Sequence, residues 1–174
     1  MKRFKNISAF QTFLRDQATG RIAEGKVAGL RAAARIISTE IKGEIGHKQT
    51  GDAGFDDWPD LAPGTLEGWD TPQGRLEGKI ERGFAPPENP LLATGAMRDS
   101  IGERFGEDSA SIGTDDPVAI YQNEGTEKRG VPFQTGETTT PGIPARNFVG
   151  RAGFRSAPDA VEAIGAAVVG ALTK

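Results

Sequence analysis

The stretch that most constrains the fold runs from Asn89 to Thr126, NPLLATGAMRDSIGERFGEDSASIGTDDPVAIYQNEGT. It reads as a short helix, a strand hairpin and a second short helix. Pro90 stands where a turn or helix can begin, and Leu91, Leu92, Met97 and Ile101 supply apolar contacts. Thr94 is an expected N-cap whose hydroxyl accepts from the N–H of Met97 or its neighbour. Strands are expected at about 100–106 and 109–114, with Gly106 to Ser109 supplying the turn. Pro117 should open the second helix and Gly125 stop it, with Val118, Ile120 and Tyr121 turned inward.

Residues 6–46 form the longest periodic segment. Asn6 or Ser8 can cap it, and Phe10, Phe13 and Leu14 make one apolar cluster. Val27, Leu30, Ala34, Ile37, Ile41 and Ile45 then recur at helical spacing, with Lys26, Arg31, Arg35 and Lys42 off that stripe. Gly20, Gly25 and Gly29 each cost about 1 kcal/mol relative to Ala. A break near Ala18 to Arg21 is therefore expected, or a helix firm only from Ile22, ended by Gly43 and Gly46.

Residues 47–89 read as a long irregular loop, anchored by Trp58 and Leu61, with Trp69 a second anchor or exposed. Leu76 to Ile80 is expected to be a short helical or extended piece. Residues 127–142 are polar and rich in Thr, Gly and Pro, with Phe133 the one large apolar side chain. Ile143 to Val149 reads as a third, edge-placed strand because Pro144 removes a donor. Arg146 is expected to pair with an acid such as Asp99 or Glu124. A C-terminal helix over 156–172 follows, capped by Ser156 with Pro158 in its first turn. Val161, Ile164, Val168 and Leu172 share one face; the small opposite face (Ala160, Ala163, Ala167, Gly170) would let the N-terminal helix approach closely.

The fold class that results is α+β in a single domain. A long N-terminal helix and a C-terminal helix pack on a small, mainly antiparallel sheet, and the loops between them are long. The chain has 174 residues, enough for one core, but 24 Gly and 11 Pro with 36% hydrophobic residues make that core modest. Charge is segregated: residues 1–48 carry ten Lys/Arg against four Asp/Glu, and 49–90 carry three against nine. The basic helix and the acidic loop are suited to attract each other, within or between subunits.

Enzyme signatures are sparse. There is no phosphate-binding glycine loop followed by Lys-Ser/Thr, no G-x-S-x-G and no H-E-x-x-H. With 0 Cys and 1 His, an ordinary zinc site cannot be built. Asp56, Asp57 and Asp60, and likewise Asp115 and Asp116, lack the ligand spacing of a calcium loop. No catalytic residue, cofactor or metal is expected. The basic residues Arg31 and Arg35 allow non-specific phosphate contact, without any sequence-reading motif. No apolar run approaches membrane-spanning length, and MKRFKNISAF lacks the apolar core of a secretion signal.

Pro90-Leu91-Leu92-Ala93-Thr94-Gly95-Ala96-Met97-Arg98-Asp99-Ser100-Ile101 resembles the P-L-L-x-T-G-x-L-R-x-S-I segment of the tail-completion, or head–tail joining, proteins of long-tailed phages. Further segments resemble the same family in order: Trp58-Pro59-Asp60-Leu61 with Thr65 upstream, and Ile112-Gly113. Ala119 to Thr126 follows, with Tyr121 and Gly125, and then Ile143-Pro144-Ala145-Arg146-Asn147-Phe148-Val149-Gly150. Glu124 stands where the family has an aromatic, and Asn147 where it has proline. The resemblance implies a structural virion protein at the head–tail junction, made in the host cytoplasm. Its implied partners are further copies of itself in a ring, expected to hold six, the head connector or stopper, the tail terminator or tail tube, and passing DNA. Trp58, Leu61, Trp69, Phe133, Arg31 and Arg35 are the expected subunit and partner contacts, with loops 49–89 and 127–142 ordering on assembly. A tail-terminator or minor tail protein is the alternative, and a small metal-dependent hydrolase using the Asp-rich loops is the alternative of a different class.

Overall fold

A computed structural model describes residues 4–52, 54–84, 86–126, 129–130, 139–140 and 142–173. Helix α1 spans Ile7–Glu44 without interruption. Asn6 caps it, its Oδ1 accepting from the Ala9 N–H at 2.8 Å. No break occurs near Ala18 to Arg21, contrary to the sequence expectation. A Cβ at Gly20 would meet nothing within 4 Å, so that glycine costs propensity but causes no clash, and the long helix absorbs it. Gly46, at φ 95°, adopts the left-handed conformation just beyond the helix end.

The element order continues with α2 (Pro63–Glu67), β1 (Gly68–Thr71), β2 (Gly74–Glu77), α3 (Ala96–Asp99), β3 (Gly102–Phe105), β4 (Ala110–Gly113) and α4 (Pro117–Glu124). Strands β5 (Arg129–Gly130) and β6 (Thr139–Thr140) precede the final helix α5 (Phe148–Leu172). Among the described residues the strands form three separate two-stranded sheets, β1 with β2, β3 with β4 and β5 with β6. The fold is therefore α+β, with a long helix at each end of the chain and small hairpins in place of one larger sheet.

Several expectations are corrected. Residues 47–89 hold α2 and the β1–β2 hairpin, whose register pairs Trp69 with Leu76 and Asp70 with Arg75. The polar sequence shows no alternation because Trp69 and Leu76 are themselves about half exposed, at 51% and 48%. Ile143 to Val149 is not a strand. Its first part is irregular, and Phe148 already belongs to α5. The helix starts there, well before Ser156, because Asn147 caps it: its Oδ1 accepts from the Gly150 N–H at 2.9 Å. Pro158 consequently lies inside α5 and Ser156 is a buried helical residue.

The chain divides into two compact units. Unit 1 comprises Met1–Ser38, Glu103–Ile112 and Arg155–Lys174; unit 2 comprises Thr39–Gly102 and Gly113–Phe154. Helices α1 and α5 each contribute residues to both. In unit 1 the two helices touch almost backbone to backbone. A Cβ on Gly25 would sit 2.7 Å from Val168 Cα, and one on Gly29 would sit 2.8 Å from Ile164 Cα. The buried side of α1 here is Gly25, Gly29, Ala33, Ala34 and Ser38, while Val27 is exposed. The expected stripe holds at Ala34, Ile41 and Ile45, with Leu30 and Ile37 half-buried, and fails at Val27. The buried side also takes in Gly25 and Gly29, and the glycines that weaken the helix are what lets α5 approach. On α5, Ile164 and Val168 are half-buried, but Val161 and Leu172 are exposed. The β3–β4 hairpin joins unit 1 through the Lys26–Asp108 ion pair and through Arg31, whose guanidinium lies 5.7 Å from the Phe105 ring centre.

Unit 2 buries Ile41, Ile45, Trp58, Ile101, Ala119, Phe148 and Ala152 together with Glu44, Arg146 and Arg151. Arg151 and Glu44 are each 1% exposed, with Nε and Oε2 3.7 Å apart, and Arg151 Nη2 also donates to the Thr50 carbonyl. Phe55 packs edge-on to Phe154 at 6.1 Å between ring centres.

Candidate functional site

Most of the segments singled out in the sequence, around Pro59, 90–101, 119–126 and 143–150, lie in unit 2. Arg146 is their junction. Its backbone N–H donates to the Gln122 carbonyl at 2.8 Å, Nη1 donates to Gln122 Oε1 at 3.2 Å, and Nη2 to the Pro59 carbonyl at 3.3 Å. The expected pairing with Asp99 or Glu124 is not made. Asp99 is instead bonded to Arg98, Nε to Oδ1 at 3.2 Å. Thr126 and Ile143 tie the neighbouring stretches of chain together. The Thr126 N–H donates to the Ile143 carbonyl, and its hydroxyl accepts from the Ile143 N–H, both at 2.9 Å. Asn123 Oδ1 accepts from the Val149 N–H at 3.0 Å. The segment around Pro90 joins the end of α1, the Gly46 N–H donating to the Pro90 carbonyl at 2.9 Å.

A polar relay orders the two short helices. The Ser100 hydroxyl donates to the Met97 carbonyl and meets the Thr114 hydroxyl at 2.7 Å. Thr114 Oγ1 accepts from the Asp116 N–H, and Asp116 Oδ1 accepts from the Val118 N–H at 2.9 Å, capping α4. Gly125 (φ 77°) ends α4 as expected. The Thr94 hydroxyl accepts from the N–H of Ala96, the neighbour of Met97, as expected, although the N-cap position itself belongs to Gly95 in the left-handed conformation. One detail differs: Ala119 is the residue of α4 that turns inward, at 2% exposed, whereas Val118, Ile120 and Tyr121 are about half exposed.

No family model, curated protein or solved structure matches the chain.

These segments enclose a groove of about 780 Å³ lined by Leu61, Trp69, Phe84, Leu91, Leu92, Met97 and Val118, with Lys79 and Arg146 among its polar residues. Leu91 has φ 62°, a left-handed conformation that costs a branched residue about 1–2 kcal/mol. Arg146 is 5% exposed and Lys79 9%. Burial pushes the proton affinity of both below its ordinary value, and nearby Glu88 partly offsets this at Lys79. Lys79 Nζ donates to the Asn89 carbonyl. The β1–β2 hairpin beside the groove is clamped by Arg75, which bonds Glu81, Asp70 and the Glu67 carbonyl. Those hydrogen bonds raise the Arg75 proton affinity and hold the Glu81 carboxyl below its usual range.

The remaining sequence candidates are scattered. Trp58 is 3% exposed in the interior of unit 2, and Leu61 and Trp69 line the groove. Arg31 and Arg35 stand exposed on α1 in unit 1. Phe133, with residues 127–128, 131–138 and 141, lies outside the described residues. Asp57 accepts from the Gly51 N–H and Asp60 pairs with Lys48. Among the described residues, no group of three or more His, Asp or Glu is arranged to hold a metal ion, and no helix is long and apolar enough to cross a membrane. Sequence reading missed the groove, Lys79 and the strained Leu91. The signal available was that the motif segments are apolar yet interrupted by single basic residues.

Proposed function

We propose that this chain is a structural virion protein of a long-tailed phage or prophage, a tail-completion or neck component that joins the head connector to the tail through ring assembly. One observation carries the reading. Three of the segments that resemble the head–tail joining family, at Pro59, 119–126 and 143–150, are tied to one another by the hydrogen bonds of Arg146, Thr126 and Ile143, and the segment 91–97 lines the same groove. Residues that share a motif only by chance have no reason to become mutual partners.

Its mechanism would be assembly without turnover. Exposed apolar side chains such as Ile120, Tyr121 and Trp69 offer contact area for neighbouring subunits. The test is co-sedimentation of the purified chain with DNA-filled heads or with finished tails, each isolated separately. The neck reading expects saturable binding to heads. Binding to tail ends alone would make it a tail terminator, and binding to neither would contradict both.

A further inference from the structure

Arg146 is a buried guanidinium whose partners among the described residues are neutral oxygens. Gln122 Oε1 and the Pro59 carbonyl accept from its Nη atoms, and Nε is buried without a hydrogen-bond partner. Lys79, the other buried cation of the groove, also donates to a neutral oxygen, the Asn89 carbonyl. Desolvating a cation with no carboxylate in contact is costly, and such a site is complete only when an anion arrives. Glu88 lies near enough to Lys79 to offset part of its burial. Among the described residues no carboxylate pairs with Arg146, and the acids lining the groove are engaged elsewhere or exposed. Asp60 pairs with Lys48, Asp116 caps α4, and Glu77 is exposed on β2. The walls around the cations are apolar and aromatic, including Trp69, Phe84, Leu91 and Leu92. Trp69 projects from β1, a strand whose sheet contains only β2 as partner, so its outer edge has no second strand among the described residues.

We propose that this groove receives an extended acidic–apolar peptide segment of a partner protein. One carboxylate lands on Arg146 and Lys79, large apolar side chains on either side of it lie against Trp69, Phe84 and Leu92, and the peptide backbone runs beside β1. The chemistry is that of a strand-addition site with an anion-selecting pocket. It goes beyond the neck reading and does not depend on it, since the groove has this character whichever protein supplies the segment.

The test uses tryptophan emission of the full chain. The sequence has 2 Trp; Trp58 is buried and Trp69 is 51% exposed, so Trp69 reports on the groove. The probes are an acetylated, amidated peptide LEFDL and its carboxamide twin LQFNL. The proposal expects LEFDL to shift the emission to the blue and saturate. The twin, which lacks both carboxylates and so also the one seated in the groove, should bind about tenfold more weakly or worse, the loss of at least one charge-assisted hydrogen bond. Trp69→Phe should remove the optical response while calorimetry still detects binding, and Arg146→Lys should weaken LEFDL severalfold. The peptide pair needs no variant, so a folding defect in Arg146→Lys leaves the test intact. Equal binding of both peptides, or binding of decanoate with no response to LEFDL, would overturn the proposal. Neither result bears on head or tail binding, which is measured separately.

Discussion

The two units of this protein are held together in opposite ways. Unit 1 is a helix pair in which small residues let backbones meet: Gly25 and Gly29 on α1 against Val168 and Ile164 on α5. Unit 2 has little regular structure and is organised by a few buried polar side chains, above all Arg146, Arg151 and Glu44. Close packing spreads stability over many weak contacts. A buried charge concentrates it in one residue whose loss leaves a partner stranded. The comparison teaches where each unit is fragile. Both tryptophans belong to unit 2, so their emission follows that unit, while far-ultraviolet circular dichroism is dominated by α1 and α5.

The largest effect should come from Arg151→Met. It leaves the Glu44 carboxylate buried without its guanidinium, at a cost of about 3–5 kcal/mol in the urea midpoint read by tryptophan emission. The double variant Glu44→Leu with Arg151→Met should recover most of that loss. Failure to recover would mean that the pair's geometry, not its charge, holds unit 2.

In unit 1 the sharpest challenge is Gly29→Val. Its side chain would collide with the Ile164 backbone, and overpacking of this kind costs about 1–3 kcal/mol. The companion Gly20→Ala meets nothing within 4 Å and should gain up to about 1 kcal/mol of helix propensity. Opposite signs at these positions, seen by circular dichroism, would mark the glycine contact as the basis of unit 1. Equal small gains at both would break the comparison.

Asp116→Ala should cost about 1 kcal/mol in unit 2 by removing the cap that accepts from Val118. The smallest effect is a pH dependence. Burial makes folded Lys79 release its proton more readily than the unfolded chain does. The unfolded state therefore binds more protons in that interval, and stability rises as pH climbs through the lowered folded value towards the ordinary lysine value of about 10.4. Lys79→Met should flatten that alkaline rise in the emission midpoint.

The sequence showed the helices and the short central elements because their signals are local. Pro117 and Gly125 bracket α4, Asn6 caps α1, and Gly106 to Ser109 turn the β3–β4 hairpin. Other features depend on what lies across the fold. A glycine in a helix signals weakness or close approach alike, and only the position of α5 distinguishes them at Gly25 and Gly29. Asn147 caps α5 and starts it well before the proline-marked start, since Pro158 suits a first turn yet is tolerated within the helix. The groove was hidden for a similar reason. In the sequence Arg146 points to an acidic partner and Lys79 carries no signal; only the fold shows the neutral oxygens of Asn89, Gln122 and Pro59 that meet them. Val118, Ile120 and Tyr121 are the apolar residues that a helix between Pro117 and Gly125 would be expected to bury, but a helix of 8 residues has one inward face, and Ala119 occupies it.

The most direct measurement of the central claim is electron microscopy of a lysate from a phage lacking this gene. The account predicts DNA-filled heads and finished tails lying apart, and joined again when the purified chain is added. Intact tailed particles in that lysate would contradict it.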